Sequence, residues 1–509
     1  MSQAVSGGDA NAEQRLHPWS WLFVLLQQLR QFIVPLLVLL FAGRRGGPDG
    51  WMTLGPLIGV GVLVAASVLQ YFTYRYRIGA DAITIRSGLL QRSQREIPFA
   101  RIHNVGVHQS LLHRVFGVAE VRLESAGGQK PEAQMRVLGL DDALALERLV
   151  RHRGAADASV DAAGNAAAGS DAGDAALLAL PTAEVVRLGL VSNRGMIVFA
   201  AAFGLLWQLF PDERRVARLA QDSYAQAAGY AGNLHLGWLG IAATALAAIA
   251  VFIVLLRLLS VALALAQYHG FRLGESQRRL TVERGLFARM RSSVSRRRIQ
   301  SWYLQETVLH RVFRRRTLRI DTAIGGREDD PRKLRELAPI ATASACDRLA
   351  AHLLPTGTAW PPAHWQPLPR QAGWRLFAAG LPWIALLAAA LSWWFGPWAL
   401  LALLLVPVSG YAAWREAGRM GYAVDARLVA VRGGWWSRWW RFAEVDKLQA
   451  LRLQRSPLDR WLGTATLWMD TAGAGSMSPP LRIRFLPEAR ARALYTELGR
   501  ILAARRLHW

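Results

Sequence analysis

The chain alternates between two textures: long apolar runs that come in pairs, and basic segments about 80 residues long in which apolar and polar positions alternate. A helix needs roughly 20 apolar residues to cross the hydrocarbon core of a bilayer. Six runs of that order occur, within 19–42, 52–72, 195–210, 236–256, 376–395 and 398–414. The first is interrupted by Gln27, Gln28, Arg30 and Gln31, and an arginine at mid-bilayer costs about 2.5–3.5 kcal/mol. The fourth ends at Arg257 and continues as apolar sequence to Tyr268, which predicts a helix running beyond the membrane. Only a Gly-Pro step separates the last two, and Trp393, Trp394, Trp398 and Trp414 flank them at the depth of an aromatic belt, which predicts a hairpin.

Between the pairs, one module recurs three times without a gap. The segment from Gly88, GLLQRSQREIPFARIHNVGVHQSLLHRVFGVAEVRLESAGG, aligns with the segment from Gly285 at an offset of 197 and with the segment from Gly434 at an offset of 346. Apolar residues alternate within each copy, as in Ile83 and Ile85 or Val121 and Leu123, the period of a half-buried strand. A glycine follows the first hairpin arm in every copy, and a helical pattern closes each one, at 141–151, 343–354 and 487–503. Short strands closed by a helix predict a small antiparallel sheet or barrel with a helical cap. The tract 154–176, rich in Ala, Gly and Asp and poor in large apolar residues, predicts a disordered linker.

These patterns divide the chain into a polar N-terminus (1–18), a first membrane pair (19–72) and module (73–153), and a disordered linker (154–180). A second pair (181–267) and module (268–354) follow, then a linker (355–372), a third pair (373–416) and a third module (417–509). The fold class expected is an α+β membrane protein with about six transmembrane helices in three pairs, each pair followed by an antiparallel β module with a C-terminal helix.

Composition narrows the functional classes. The 509 residues are 52% hydrophobic yet carry a formal charge of +25. Soluble nucleic-acid binders seldom combine the two, so a membrane rather than nucleic acid is the expected partner. Of 61 basic residues only Lys130, Lys333 and Lys447 are lysines, and arginine's fork suits phosphate. Residues 271–350 carry a net +10. By the positive-inside tendency this places that module, and through an even number of crossings all three, on the cytoplasmic side of a cell (inner) membrane. Arg44, Arg45, Arg214, Arg215 and Arg218, in the loops inside the pairs, weigh against it. Cys346 is the only cysteine, so neither an intrachain disulfide nor a cysteine-based zinc site is possible. No secretory signal pattern opens the sequence.

The order of strand, Gly-aliphatic turn, "RI" step and then QSLLHRVFGVAEVRLESAGG resembles the type-two bacterial pleckstrin-homology-like (PH-like) domain of the YdbT-like membrane protein family. The resemblance covers nearly the whole chain, helix pairs included. It implies a PH-like fold, a cytoplasmic membrane location and a shorter one-domain companion protein, and it implies no reaction. The third copy departs most, with Pro457 and Asp459 at the positions of Leu111 and His113.

Three columns are basic in every copy: Arg92, Arg289 and Arg438; Arg101, Arg298 and Lys447; Arg114, Arg311 and Arg460. The first two lie near predicted turns and are candidates for contact with lipid phosphate or an acidic partner, each charge being worth about 1 kcal/mol near an anionic leaflet. The third column is expected to pair with the recurring acids Glu124, Asp321 and Asp470, which otherwise read as turn-capping carboxylates. The densest charge, Arg296, Arg297 and Arg298 with Arg314, Arg315 and Arg316, is the leading candidate for an anion-contacting patch. His113 and His310 recur, but Asp459 takes the third place, which argues for packing over shared catalysis. No phosphate-binding loop, zinc-protease helix or nucleophile elbow is present, so the expectation is a non-enzyme without cofactor or metal. The expected function is a membrane scaffold whose modules bind anionic headgroups or envelope proteins in membrane maintenance or defence. The alternative is a transporter or lipid-handling subunit with Gln27 or Arg30 on a polar path.

Overall fold

The computed structural model describes residues 17–26, 72–79, 81–88, 92–99, 102–125, 133–159, 175–209, 238–276, 278–322, 334–369, 371–472 and 479–504, with shorter stretches before residue 70. Most of the first expected membrane pair, the loop 210–237 apart from one residue, and Arg101 lie outside the described residues.

Each module is a sandwich of two antiparallel sheets closed by a helix. In the first, β1 (Gln14–Arg15), β2 (Arg75–Ile78), β3 (Ala82–Ser87) and β4 (Ser93–Pro98) form one sheet. Against it packs β5 (Ile102–Gln109), β6 (Val118–Ser125) and β7 (Ala133–Gly139), and the helix Leu140–Ser159 follows. The alternating residues face inward as their period requires: Tyr76, Ile83 and Ile97 of one sheet share a core with Val105, Val121 and Leu123 of the other and with Leu146 and Val150 of the helix.

The second module repeats this with β8 (Ala175–Ala179), β9 (Arg272–Ser276), β10 (Arg279–Arg284) and β11 (Arg289–Ser295). Its other sheet is β12 (Ile299–Glu306), β13 (Arg315–Thr322) and β14 (Glu336–Thr342), with the helix Ala343–Leu353. The third has β15 (Gln366–Pro367), β16 (Gly421–Val424), β17 (Leu428–Gly433) and β18 (Arg438–Glu444). They face β19 (Leu448–Gln454), β20 (Thr464–Thr471) and β21 (Arg482–Pro487), with the helix Glu488–Ala503. The recurring turn glycines are needed for their backbone: Gly285 and Gly434 have φ of 115° and 78°. A Cβ on either would stand 1.9 Å from a carbonyl oxygen three residues on.

Two features lie beyond the reach of strand patterning. First, each module begins before its helix pair. β1, β8 and β15 pair in one shared register with the strand that follows the helices: Gln14 opposite Tyr76, Leu178 opposite Leu273, and Gln366 opposite Tyr422. The helices are therefore inserted between two hydrogen-bonded neighbours, and the segments expected as linkers are partly structured. Within 154–180 the helix Leu140–Ser159 ends and β8 forms, with Leu180 buried. Within 355–372 lies β15, and Trp360 stacks on Phe442 at 3.7 Å between centroids and donates to Asp347 at 3.1 Å. A few large apolar residues suffice to dock such segments, although their average composition is linker-like.

Second, the modules are joined by continuous sheet. β5 pairs with β11 and β12 pairs with β18, giving two seven-stranded sheets, each built from halves of two successive modules. Both junctions use one register, Gln109 opposite Arg289 and Glu306 opposite Arg438. A membrane cannot be interposed between domains joined by a backbone ladder, so all three modules share one side of any bilayer the helices enter.

Three described helical spans are long and apolar enough to cross a membrane: Ala242–Tyr268, Gln371–Trp393 and Leu400–Arg419. The helices Thr182–Val191 and Arg194–Leu209, bent by 54° at their junction, supply a fourth candidate as a pair. The last two spans belong to a hairpin of helices Gln371–Phe395 and Leu405–Arg419, joined by a 3-10 segment Gly396–Leu404. Of the six expected spans, three, or four with the bent pair, are present among the described residues. The 31-residue helix Trp238–Tyr268 continues past Arg257 as its apolar sequence implied. Arg257 turns its guanidinium onto the carbonyls of Leu190 and Ser192 at 3.0 and 3.1 Å. It thereby satisfies acceptors freed at the bend.

Candidate anion site between the helical hairpin and the third module

The helix Leu405–Arg419 enters β16 almost directly, so the base of the hairpin sits against the β17–β18 turn. Between them lies a cleft of about 1160 Å³. One wall is apolar and comes from the hairpin: Trp374, Phe377, Val406 and Trp414. The lining also holds five arginines: Arg415 and Arg419 from the end of the hairpin, Arg432 from β17, Arg438 from β18, and Arg311 from the second module's helix Val308–Val312. Among the described lining residues five are arginines and none is acidic.

Several of these cations are incompletely satisfied. The Nε–H groups of Arg311, Arg432 and Arg438 are buried and meet no acceptor, an arrangement that costs free energy unless an acceptor arrives. Arg438 lies 3.5 Å from Glu306 across the β12–β18 ladder, and Arg311 donates to the Trp436 carbonyl at 3.3 Å. Arg432 lies over the Trp365 ring at 4.7 Å, and burial lowers its pKa below the usual guanidinium range. A cleft lined by arginines and large apolar side chains together matches the chemistry of an amphiphile with an anionic head.

The sequence-derived candidates fare differently. Arg438 lines the cleft. The dense cluster of the second module divides instead of forming one patch. Arg296 pairs with Glu275 at 2.9 Å, Arg315 grips Glu184 through two bonds of 2.9 and 2.7 Å, and Arg316 contacts Glu306 and Asp347 at 3.0 and 3.3 Å. Arg297 and Arg314 are exposed, while Arg298 is half-buried, and burial together with Arg279 brings its pKa down to about 10. Arg92 and Arg289 are exposed beside the first hairpin strands, and Lys447 donates to the Arg297 carbonyl at 2.8 Å, tying the third module to the second.

The acids also differ from expectation. Asp321 lies within β13 rather than at a turn, and it accepts from Ser301 at 2.8 Å and from the buried Arg441 of the third module at 2.7 Å. In the third basic column Arg114 donates to the Leu286 carbonyl at 2.9 Å and Arg311 to that of Trp436, each in the turn of the following module. Arg415, Arg419 and Arg432 were not singled out by repeat columns. The only sequence signal for two of them was their place at the end of an apolar run, where Trp414 and Arg415 meet. Among the described residues no group of three or more His, Cys, Asp or Glu stands ready to hold a metal.

The two histidines cap helices. His310 follows Thr307 by three residues, and each side chain serves the other's backbone, with His310 Nδ1 at 2.8 Å from the Thr307 hydroxyl. Asp459 does the same for Ser456 in the third module, so a carboxylate replaces imidazole without loss of the capping box.

Three sandwiches of four and three strands, each with a C-terminal helix and preceded by apolar helices, define a membrane protein built from PH-like domains. The family model for the bacterial PH domain matches residues 23–154, 231–354 and 376–501, and the chain belongs to that family. It is similar to the UPF0699 transmembrane protein YdbT of Bacillus subtilis (strain 168), with 23% identity over 420 residues that cover 79% of this chain and 82% of the relative. No solved structure matches it.

Proposed function

We propose that the chain is a multi-pass scaffold of the cell (inner) membrane that binds anionic phospholipid at the cytoplasmic surface, with the cleft under the third module as the principal site. The observation that carries this is the set of buried, acceptor-less Nε–H groups of Arg311, Arg432 and Arg438 in a cleft also lined by apolar residues of the helical hairpin. A phosphodiester would accept charge-assisted bonds from several forks while its acyl chains follow Trp374 and Phe377 into the bilayer. The joined sheets keep the three modules on one side of the bilayer, in keeping with a basic surface facing an anionic leaflet. No catalytic step is part of this reading, and membrane maintenance or defence is the process it serves.

The test uses full-length protein in nanodiscs that mix phosphatidylglycerol with phosphatidylcholine, with retained lipid identified by native mass spectrometry after release into detergent. Phosphatidylglycerol is expected to be enriched, and Arg432→Gln and Arg438→Gln to weaken retention about fivefold each, the equivalent of about 1 kcal/mol per charge. Equal retention of the two lipids, or retention unmoved in the double variant, refutes the site. The alternative of a transporter path through Gln27 or Arg30 rests on residues outside those described.

A further inference from the structure

The three modules form an open series. The strand β5 is covered by β11 of the next module and β12 by β18, but β19, their counterpart in the third module, ends its sheet. At the other end of the chain β4, the counterpart of β11 and β18, ends its own sheet among the described residues. We propose that the outer edge of β19 takes β4 of a second copy of this chain, in the register of the two internal junctions, so that copies associate head to tail.

Three features of the third module support that occupant. Several β19 side chains are exposed where the covered strand β12 is buried: Arg452 stands at the position of Tyr303, and Gln449 at that of Gln300. The Arg460 side chain is exposed and has no hydrogen bond or ion pair among the described residues, whereas Arg114 and Arg311, its counterparts, each donate to a turn carbonyl of the following module. Asp470 is likewise exposed, whereas its counterpart Asp321 binds Arg441 of the following module. The repeat offset of 346 makes Arg95 the counterpart of Arg441, so β4 of a second copy would bring Arg95 to Asp470. Two edges of different kind on one chain make a heterologous contact, which propagates into rings or rows.

Two positions oppose the contact. The register sets Arg455 across from Arg92, where the internal junctions have Gln109 across from Arg289 and Glu306 across from Arg438, and it sets Arg452 across from Arg95, where the second junction has Tyr303 across from Arg441. Glu488, 2.6 Å from Arg455, offsets part of that repulsion. The association should therefore be weak and improvable.

The experiment uses full-length protein in detergent and in nanodiscs, with mass measured by light scattering and oxidative cross-linking between Leu453→Cys in one copy and Gln94→Cys in another. These positions face each other by the register that pairs Leu304 with Trp440, and Cys346 is buried and silent. A cross-linked dimer is expected only when the two variants are mixed, Asp470→Arg should abolish it, and Arg455→Gln should raise its yield several-fold. A gain through Arg455→Gln cannot come from misfolding. A monomer with no cross-link in the mixture, even carrying Arg455→Gln, overturns the proposal. So does a cross-link of Leu453→Cys to itself, which would mean a two-fold pairing of β19 edges.

Discussion

At the level of single side chains, the recurring "LHR" triplet shows how a motif that looks catalytic can serve a helix end. His310 is buried, its Nε2 lies 3.0 Å from the Thr317 hydroxyl, and burial brings its pKa down to about 4. The unfolded side chain titrates near 6.5, so between those values the unfolded chain binds a proton that the folded chain does not. The imidazole's contribution is complete above about pH 6.5 and is lost as the pH falls towards 4. Melting curves of wild type and His310→Asn should accordingly converge between pH 7 and pH 4.5; a constant gap would show that His310 titrates alike in the folded and unfolded chain. Asp459 behaves oppositely in chemistry but alike in sign. Burial would raise its carboxyl, but bonds from Arg375, Ser456 and Thr464 outweigh this and hold it well below the usual carboxylate range. Its contribution therefore persists to lower pH than that of His310, and the third module should outlast the second on acidification. Hydrogen exchange followed by mass spectrometry at pH 4.5 would check this, protection being lost first from β12 and β13.

Among the elements, the edge strands that precede each helix pair change how the modules are bounded. Trp360, in a segment whose sequence resembles a linker, stacks on Phe442, which also lies parallel to Trp302 at 5.5 Å. Trp360→Ala should cost about 3–5 kcal/mol, as large aromatic truncations in cores do. It should also expose 355–372 to protease while leaving the first module's melting unaffected. If cleavage in that segment is unchanged, β15 and its neighbours are held by something other than the tryptophan. The bend between Thr182–Val191 and Arg194–Leu209 is similarly specific: a Cβ at Gly195 would stand 2.4 Å from the Leu256 carbonyl oxygen. Close helix approach here requires glycine.

For the molecule as a whole, the shared sheets make the modules one body rather than three domains on tethers. The buried pair Arg441 and Asp321, with Ser301 3.2 Å from the same guanidinium, crosses the second junction. Removing one partner leaves a buried charge, so Arg441→Gln and Asp321→Asn should each cost about 3–5 kcal/mol, and the double variant less than their sum. Strictly additive losses in denaturant titration would mean that the two residues do not depend on each other. The continuous ladder also requires that tags inserted near residue 165 and at the C-terminus report the same compartment. Opposite compartments would contradict the joined sheets themselves.

The repeat offsets, the apolar runs and the strand alternation were enough to establish three β modules with apolar helices, because each is written in local periodicity or in self-similarity at fixed spacing. Arg438 was legible as a column, since repeats expose positions kept basic. The cleft was not, because Arg311, Arg415 and Arg432 come from a second-module helix, a hairpin end and a third-module strand that meet only after docking. Nor could the sequence separate arginines facing solvent from those such as Arg296, Arg315 and Arg316 that fold onto carboxylates. Composition records charge, but pairing depends on distances between residues far apart in the chain. The sharing of sheets between modules was likewise decided by tertiary structure, because a strand's two faces are encoded in its side chains, whereas the neighbour at its edge is chosen by backbone groups that every residue carries.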